Sequence, residues 1–326
     1  MAERLLFVGE LIMDFVGEPG PSLSSIRSFR ATPGGATGNA ASAAARAGAN
    51  VSLIACVGRD VFGERLLDSL RKAGVDCTSV AVHPTLHTTM AFTMPLDSGK
   101  RGFQFVRGAD AALTINALSD ELFSNTGAVC GGGVALSAPS ARQTTLAALS
   151  RGRDAGALVT FDVNWRPWLW EEESAGLRAL CEALPLCDLV KCNESELRLL
   201  SGSTEPIIVA ARGLLNRWNR VRTIIVTMGS SGSAWITRTQ AVTVPGFPIE
   251  EVNSVGAGDA FMGNFLAWWV QEHPGTPPDT LPITEIEQGL TRCNAASALA
   301  VASQEVMDGM PSIRETAALL ARRRTR

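Results

Sequence analysis

The chain is poor in the groups that usually carry metal and redox chemistry. Its 326 residues include three histidines, His83, His87 and His273. None has a partner at a spacing such as His-x-x-x-His, which argues against a zinc site. The seven cysteines, at positions 56, 77, 130, 181, 187, 192 and 293, are odd in number, form no Cys-x-x-Cys pair and stand in apolar surroundings. They read as reduced core thiols rather than a disulfide framework. No apolar run reaches the roughly 18 residues that a membrane-spanning helix needs. The start, "MAERLLFVGE", has a short strand-like run and no long apolar leader. A soluble, cytoplasmic protein without membrane association is expected. A formal charge of −3 and a pI near 5.7 leave no basic surplus for nucleic acid, and the one charge run, "ARRRTR", reads as a solvated helix end. Two nucleotide signatures are also missing. There is no Gly-x-Gly-x-x-Gly directly after the first strand, and no glycine cluster fits Gly-x-x-x-x-Gly-Lys-Ser/Thr.

What is present is an alternation of short apolar runs and longer amphipathic ones. Residues 5–8, 51–57, 157–161, 188–191 and 223–227 read as buried strands, and 39–47, 62–73, 141–151, 175–184 and 206–218 as helices. This predicts an α/β fold with a mostly parallel central sheet covered by helices on both faces. Two segments break the pattern. Residues 15–33 and 82–107 are helix-poor, rich in Thr, Phe and Met, and the second contains a turn at "LDSGK". They are expected to form a small β lid over one end of the sheet.

Two glycine clusters stand out. In "EVNSVGAGDAFMGNFLAWWV", Gly256 and Gly258 precede Asp259, and apolar residues then recur at helical spacing. A glycine-lined helix start exposes unpaired N–H groups at an electropositive end and can hold an anion. Asp259 there is either a first-turn carboxylate favoured by the helix dipole or a base beside an anion hole. The earlier cluster, "PGGATGNAASAAARAG", places Gly34 and Gly35 ahead of an alanine-rich helix, with Asn39 about where that helix starts.

The pair "GGATGNAA" and "GAGDAFMGNF" resembles the two signatures of the ribokinase-like, or pfkB, family of carbohydrate kinases. "GELIMD", "VGRDVFGERLLDSLRKAGV", "FDVNWRPWLW", "KCNESEL" and "VTMGSSGSAW" fall in the family's order, so the resemblance spans nearly all of residues 1–326. "GAD" at 108–110 and "DVNWRPWLW" look most like the fructokinase branch. The resemblance implies an ATP-dependent sugar kinase in which Asp259 takes a proton from the attacking hydroxyl. The N–H groups of Gly256, Ala257 and Gly258 would hold the transferring phosphoryl group. It further implies sugar contacts from Asp14, Gly34, Gly35 and Asn39, with Phe105, Arg107 and Arg166 as further candidates. Nucleotide contacts are implied for Asn193, Thr227, Gly229, Gly232 and Asn294. Glu196, of an Asn-x-x-Glu motif, would anchor Mg²⁺ through water. The implied partners are a small-molecule sugar and ATP, with a homodimer as a further expectation.

Two departures from the family pattern bear on cofactors. Asn253, Ser254 and Val255 stand where Asp-Thr-Thr is usual, and "SQEVMDGMPS" replaces a Gly-Ala segment. Little dependence on a monovalent cation is therefore expected, and nucleotide choice stays open. So does the sugar, whether fructose, 2-keto-3-deoxygluconate, ribose or a nucleoside. A catalytically silent sugar sensor on the same scaffold is the alternative from another class.

Overall fold

In β1 (Arg4–Val8), Leu5 and Phe7 face one side, Leu6 and Val8 the other, and all four are buried. A strand with no wet face needs helices on both sides, as parallel sheets provide. The computed structural model describes residues 3–96, 101–253 and 255–324, and it places β1 inside a nine-stranded sheet. The order is β13 (Ala241–Val244), β12 (Ser233–Ile236), β11 (Thr223–Thr227), β10 (Leu189–Asn193), β9 (Leu158–Asp162), β8 (Thr126–Gly132), β1, β4 (Asn50–Gly58) and β5 (Val80–His83). Neighbours from β11 to β5 pair in parallel. The β12–β13 hairpin extends the β11 edge in antiparallel fashion.

Helices α1 (Ala36–Arg46), α2 (Val61–Ala73), α8 (Ala257–Glu272) and α9 (Ile283–Val301) share a buried cluster with one face. The other face is covered by α3 (Asp120–Phe123), α4 (Pro139–Asp154), α5 (Glu173–Ala183), α6 (Glu194–Ser201) and α7 (Ile207–Arg217). The last helix, α10 (Ile313–Arg324), packs through Leu319 and Leu320 against Ala295 and Ala298 of α9. A second, four-stranded sheet has the order β3 (Phe29–Gly34), β2 (Ile12–Gly17), β6 (Met90–Pro95) and β7 (Arg101–Val106). It is the expected small lid, made of two antiparallel hairpins joined by parallel pairing of β2 with β6. Phe15 stacks on Phe92 within it and meets Phe62 of α2 edge-on at 5.4 Å, tying lid to body.

Several expectations need correction. β8, an interior strand of the sheet, is absent from the sequence reading because "TGAVCGG" offers small residues and glycines instead of a β-branched run. The segment from residue 82 begins inside β5, an edge strand of the main sheet, and the lid proper starts at Met90. Of the "LDSGK" turn, Leu96 pairs with Gly20, and residues 97–100 lie outside the described residues, as do Ser254 and the last two residues of "ARRRTR". Asn39 does not start α1. Gly35, at φ 95°, is the N-cap, so Asn39 lies one turn further in, and its side chain does not cap the helix. The thiols are all unpaired and five are buried, although Cys77 is partly exposed and Cys181 exposed. Burial pushes the Cys56 thiol up to about 11 and Cys130 up to about 12, which keeps both protonated and unreactive.

The two glycine-led helices, α1 and α8, lie side by side. α8 is buried from Asp259 to Val270, as expected of a helix that is apolar on all sides. It approaches α1 through small residues. A Cβ on Gly263 would overlap Ala40 O and come within 2.7 Å of Ala43 Cβ. Gly263→Val should therefore force the helices apart and destabilise the fold by about 2 kcal/mol or more, read as a lowered Tm, with turnover falling alongside. A Tm equal to that of the parent would mean the crossing is slack.

Candidate active site

The C-terminal ends of the parallel strands and the underside of the lid enclose a cavity of about 490 Å³, the usual position for ligands in open α/β sheets. α8 begins at its wall. Gly256 adopts φ 88°, a left-handed turn that side chains disfavour, and α8 has no side-chain cap, so its first N–H groups are left for a ligand. Gly258 faces a side chain instead. A Cβ there would lie 2.9 Å from Lys191 Nζ.

Asp259 is buried in the first turn of α8 and accepts a hydrogen bond from Asn39 Nδ2 at 2.8 Å. Asn39 Oδ1 is buried and has no partner within the protein, a state that a polyol hydroxyl would relieve. Burial pushes the Asp259 carboxyl up, helped by the Asp162 carboxylate, and Asn39, Lys191 and Arg166 pull it back, leaving it at about 6. Burial likewise raises Asp14, helped by the Asp259 charge and opposed by Arg166, to about 7. Glu10 is held up chiefly by burial, and its carboxylate accepts Thr37 N and Thr37 Oγ1, which ties the end of β1 to the start of α1. Gly34 leaves room for Asp14, since a Cβ there would overlap its carboxylate. Gly35 packs on the chain between β1 and β2, where a Cβ would meet Glu10 O at 2.9 Å.

Beside the first turn of α8, Asp162 and Lys191 form a buried ion pair at 2.7 Å. Asn193 and Glu196 make a reciprocal capping box at the start of α6. Glu196 Oε1 accepts Trp165 N and Oε2 accepts Asn193 N, each at 2.8 Å. A carboxylate has about four acceptor sites, so Glu196 can still accept from the cavity it lines. Among the described residues, no cluster of three acidic, His or Cys side chains forms a ready-made metal site. Thr227 and Gly229 line both this cavity and an adjoining one of about 220 Å³, where Gly232, Gly258 and Asn294 also lie. Asn294 Nδ2 donates to Val244 O.

Phe105 and Arg166 line the main cavity, whereas Arg107 does not. Its guanidinium is committed to Asp110 at 2.8 Å and to Ser137, bracing the foot of the lid. Phe103 of the lid stacks on Trp168 from the turn after β9, with ring centroids 4.4 Å apart. The sequence reading missed Glu10, Asp162, Asn164 and Lys191. Only "GELIMD", "FDVN" and "KCN" hinted at them, as charges or an amide at strand ends. Asn164, at φ 40°, is the one non-glycine residue with positive φ among those described, and it too lines the cavity.

A model of the pfkB family of carbohydrate kinases matches residues 2–313. Fructokinase-1 of Oryza sativa subsp. japonica is 31% identical over 317 residues, 95% of each chain. The fructokinase of Xylella fastidiosa solved with bound ATP superposes with a TM-score of 0.91 at 29% identity, covering 99% of this chain and 100% of that one. An E. coli protein described as a ribokinase II, solved with ATP and Mg²⁺, gives 0.87 at 25%, covering 98% and 99%. The chain belongs to the pfkB family of carbohydrate kinases, and it is a sugar phosphotransferase of the fructokinase-like kind.

The acid-rich cavity has a cost in stability. A carboxyl raised in the fold favours the native state while protonated, and that contribution is lost as pH rises through the folded pKa. For Asp14, raised to about 7, the loss runs from about pH 4 to pH 7. Asp14→Asn should accordingly melt higher than the parent at pH 8 without ligand, and the gap should close at pH 4. A gap that widens toward low pH would contradict the assigned burial.

Proposed function

We propose that the protein transfers the γ-phosphoryl group of ATP to a primary hydroxyl of a neutral ketose, fructose foremost. One observation carries this reading. Asp259, a buried carboxylate poised near 6, shares the first turn of α8 with an uncapped set of N–H groups, so base and anion hole are one element. Asp259 accepts the hydroxyl proton while the sugar oxygen bonds to the γ-phosphorus and the bond to the β-phosphate oxygen breaks, releasing ADP. The N–H groups of Gly256, Ala257 and Gly258 hold the equatorial charge. Asn39 orients the base and, with Asp14, binds the sugar.

Asn193, Thr227, Gly229, Gly232 and Asn294 serve the nucleotide. Glu196 would hold the Mg²⁺ that accompanies ATP, through water because this ion sheds its hydration reluctantly, and the ion would supply positive charge against the phosphates. The Phe103–Trp168 stack holds the lid down over the sugar, excluding water as a competing acceptor.

Charge argues for a neutral sugar. The acceptor end carries Glu10 and Asp14, with Arg166 as the cation lining that end, so a sugar acid would add a charge among carboxylates. With ATP and Mg²⁺ saturating, kcat/KM for fructose should exceed that for 2-keto-3-deoxygluconate at least tenfold, with ribose and nucleosides below fructose. The reverse ranking would sink the neutral-ketose assignment.

The base is tested separately. Asp259→Asn should lose on the order of 100 to 10,000-fold in kcat, with sugar affinity within a few-fold of the parent, and a variant that keeps near-parental turnover rules Asp259 out. As for cations, Asn253 Oδ1 is already accepting Val255 N at 3.1 Å, and an amide adds no net charge. Initial rates in K⁺ and in a bulky organic cation at matched ionic strength should agree within a few-fold, and a tenfold rise with K⁺ would refute this.

A further inference from the structure

Buried charge is costly, and the pair of Lys191 and Asp162 is among the most deeply buried in the chain. Their side chains are 4% and 6% exposed, and the ammonium donates to both carboxylate oxygens, at 2.9 and 2.7 Å. Replacing such a pair by apolar residues is often neutral or stabilising, so stability alone is a weak reason for its presence. Its position suggests another. The Lys191 Nζ stands against the first turn of α8, 2.9 Å from where a Cβ of Gly258 would lie, and Lys191 lines the cavity beside Gly256 and Gly258, while Asp162 lines a smaller neighbouring one. The other nearby cations are placed differently. Arg107 is spent on Asp110, and the Arg166 Nη1 donates to Trp165 O.

We propose that Lys191 is the cationic group of the anion hole, placing a fixed positive charge against the transferring phosphoryl group at Gly258, with Asp162 as the residue that positions it. This rests on the kinase reading above and deepens it. The second glycine of the motif then has a double role, since it gives the phosphate access to the backbone and leaves room for the ammonium behind it. Burial works against the charge on Lys191, but Asp162, Glu196 and Asp259 more than reverse this, so its pKa lies above the ordinary lysine value and the charge persists at neutral pH. A permanent charge aimed at the site where negative charge gathers lowers the barrier without reorganisation.

The experiment separates charge from packing. Lys191→Gln leaves Asp162 buried and unpaired, so both Tm and turnover should fall. In the double variant Lys191→Gln/Asp162→Asn a neutral hydrogen-bonded pair replaces the ion pair. Tm should return to within a few degrees of the parent while kcat stays down on the order of 100-fold, with KM for the sugar little changed. Recovery of turnover together with Tm would overturn the proposal and leave the pair structural. Asp162→Asn alone is the second arm, because it keeps the ammonium. It should retain turnover within about tenfold and move the acidic limb of the pH profile downward. Asp259, which sets that limb, faces Asp14 from β2, Asn39 from α1, Asp162 from β9, Arg166 from the turn after β9 and Lys191 from β10, and loss of Asp162 removes a charge that raises it. Equal losses from Lys191→Gln and Asp162→Asn would also overturn the proposal. Failure of the kinase reading looks different, because the parent itself would then consume no ATP with any sugar.

Discussion

The site depends on how closely α1 and α8 approach. A run of alanines in one helix and Gly263 in the other bring the backbones near enough for Asn39 to reach Asp259. The elements come from distant parts of the chain. Without the contact, α8 would still present an anion hole, but its carboxylate would have lost a hydrogen bond that favours the ionised form. Behind this crossing, the unusual segment "SQEVMDGMPS" acts as a plug. Val306 packs where a Cβ of Gly256 would be, and Met307 O accepts Ser42 Oγ of α1 at 3.2 Å. A segment that looks anomalous in sequence thus supports both helices.

Around that contact the fold gathers more negative charge than it neutralises. Glu10, Asp14, Asp162, Glu196 and Asp259 outnumber Lys191 and Arg166, and burial raises the carboxyls of Glu10, Asp14, Glu196 and Asp259. The arrangement sacrifices stability near neutral pH for a base that is ready to take a proton and a cavity that suits uncharged polyols. Backbone donors offset part of the strain. Thr37 N serves Glu10, and Trp165 N and Asn193 N serve Glu196. The resulting carboxylates are fixed in place by main chain, which is the rigidity a positioning site requires.

Much of this was legible in the sequence because local chemistry forces it. Gly256 before a helical repeat signals a glycine-lined helix start, the alternation of apolar and amphipathic runs implies the parallel sheet, the helix-poor segments imply the lid, and the motif order along the chain points to the family. What was not legible depends on distant partners. The ammonium that a side chain at Gly258 would press upon belongs to Lys191 of β10, and a charge inside an apolar strand reads only as an interruption. Arg107 looks like a cavity cation until Asp110 and Ser137 are seen to hold it. Asn39 looks like a helix cap because caps and site amides share residue types, and only the φ of Gly35 shows that α1 begins a turn earlier. β8 escaped because its small residues are placed by β1 and β9 on either side, not by their own propensity.

The most direct test of this account is the pH profile of kcat at saturating fructose and ATP for the parent and for Asn39→Ala. The parent should lose turnover below about pH 6, as Asp259 takes up a proton. Removing a hydrogen bond to a charged group should shift that limb upward by roughly one pH unit, with a lower plateau. A limb that stays in place in Asn39→Ala, or a parent whose turnover is flat through pH 6, would contradict the claim that the contact between α1 and α8 sets the catalytic base.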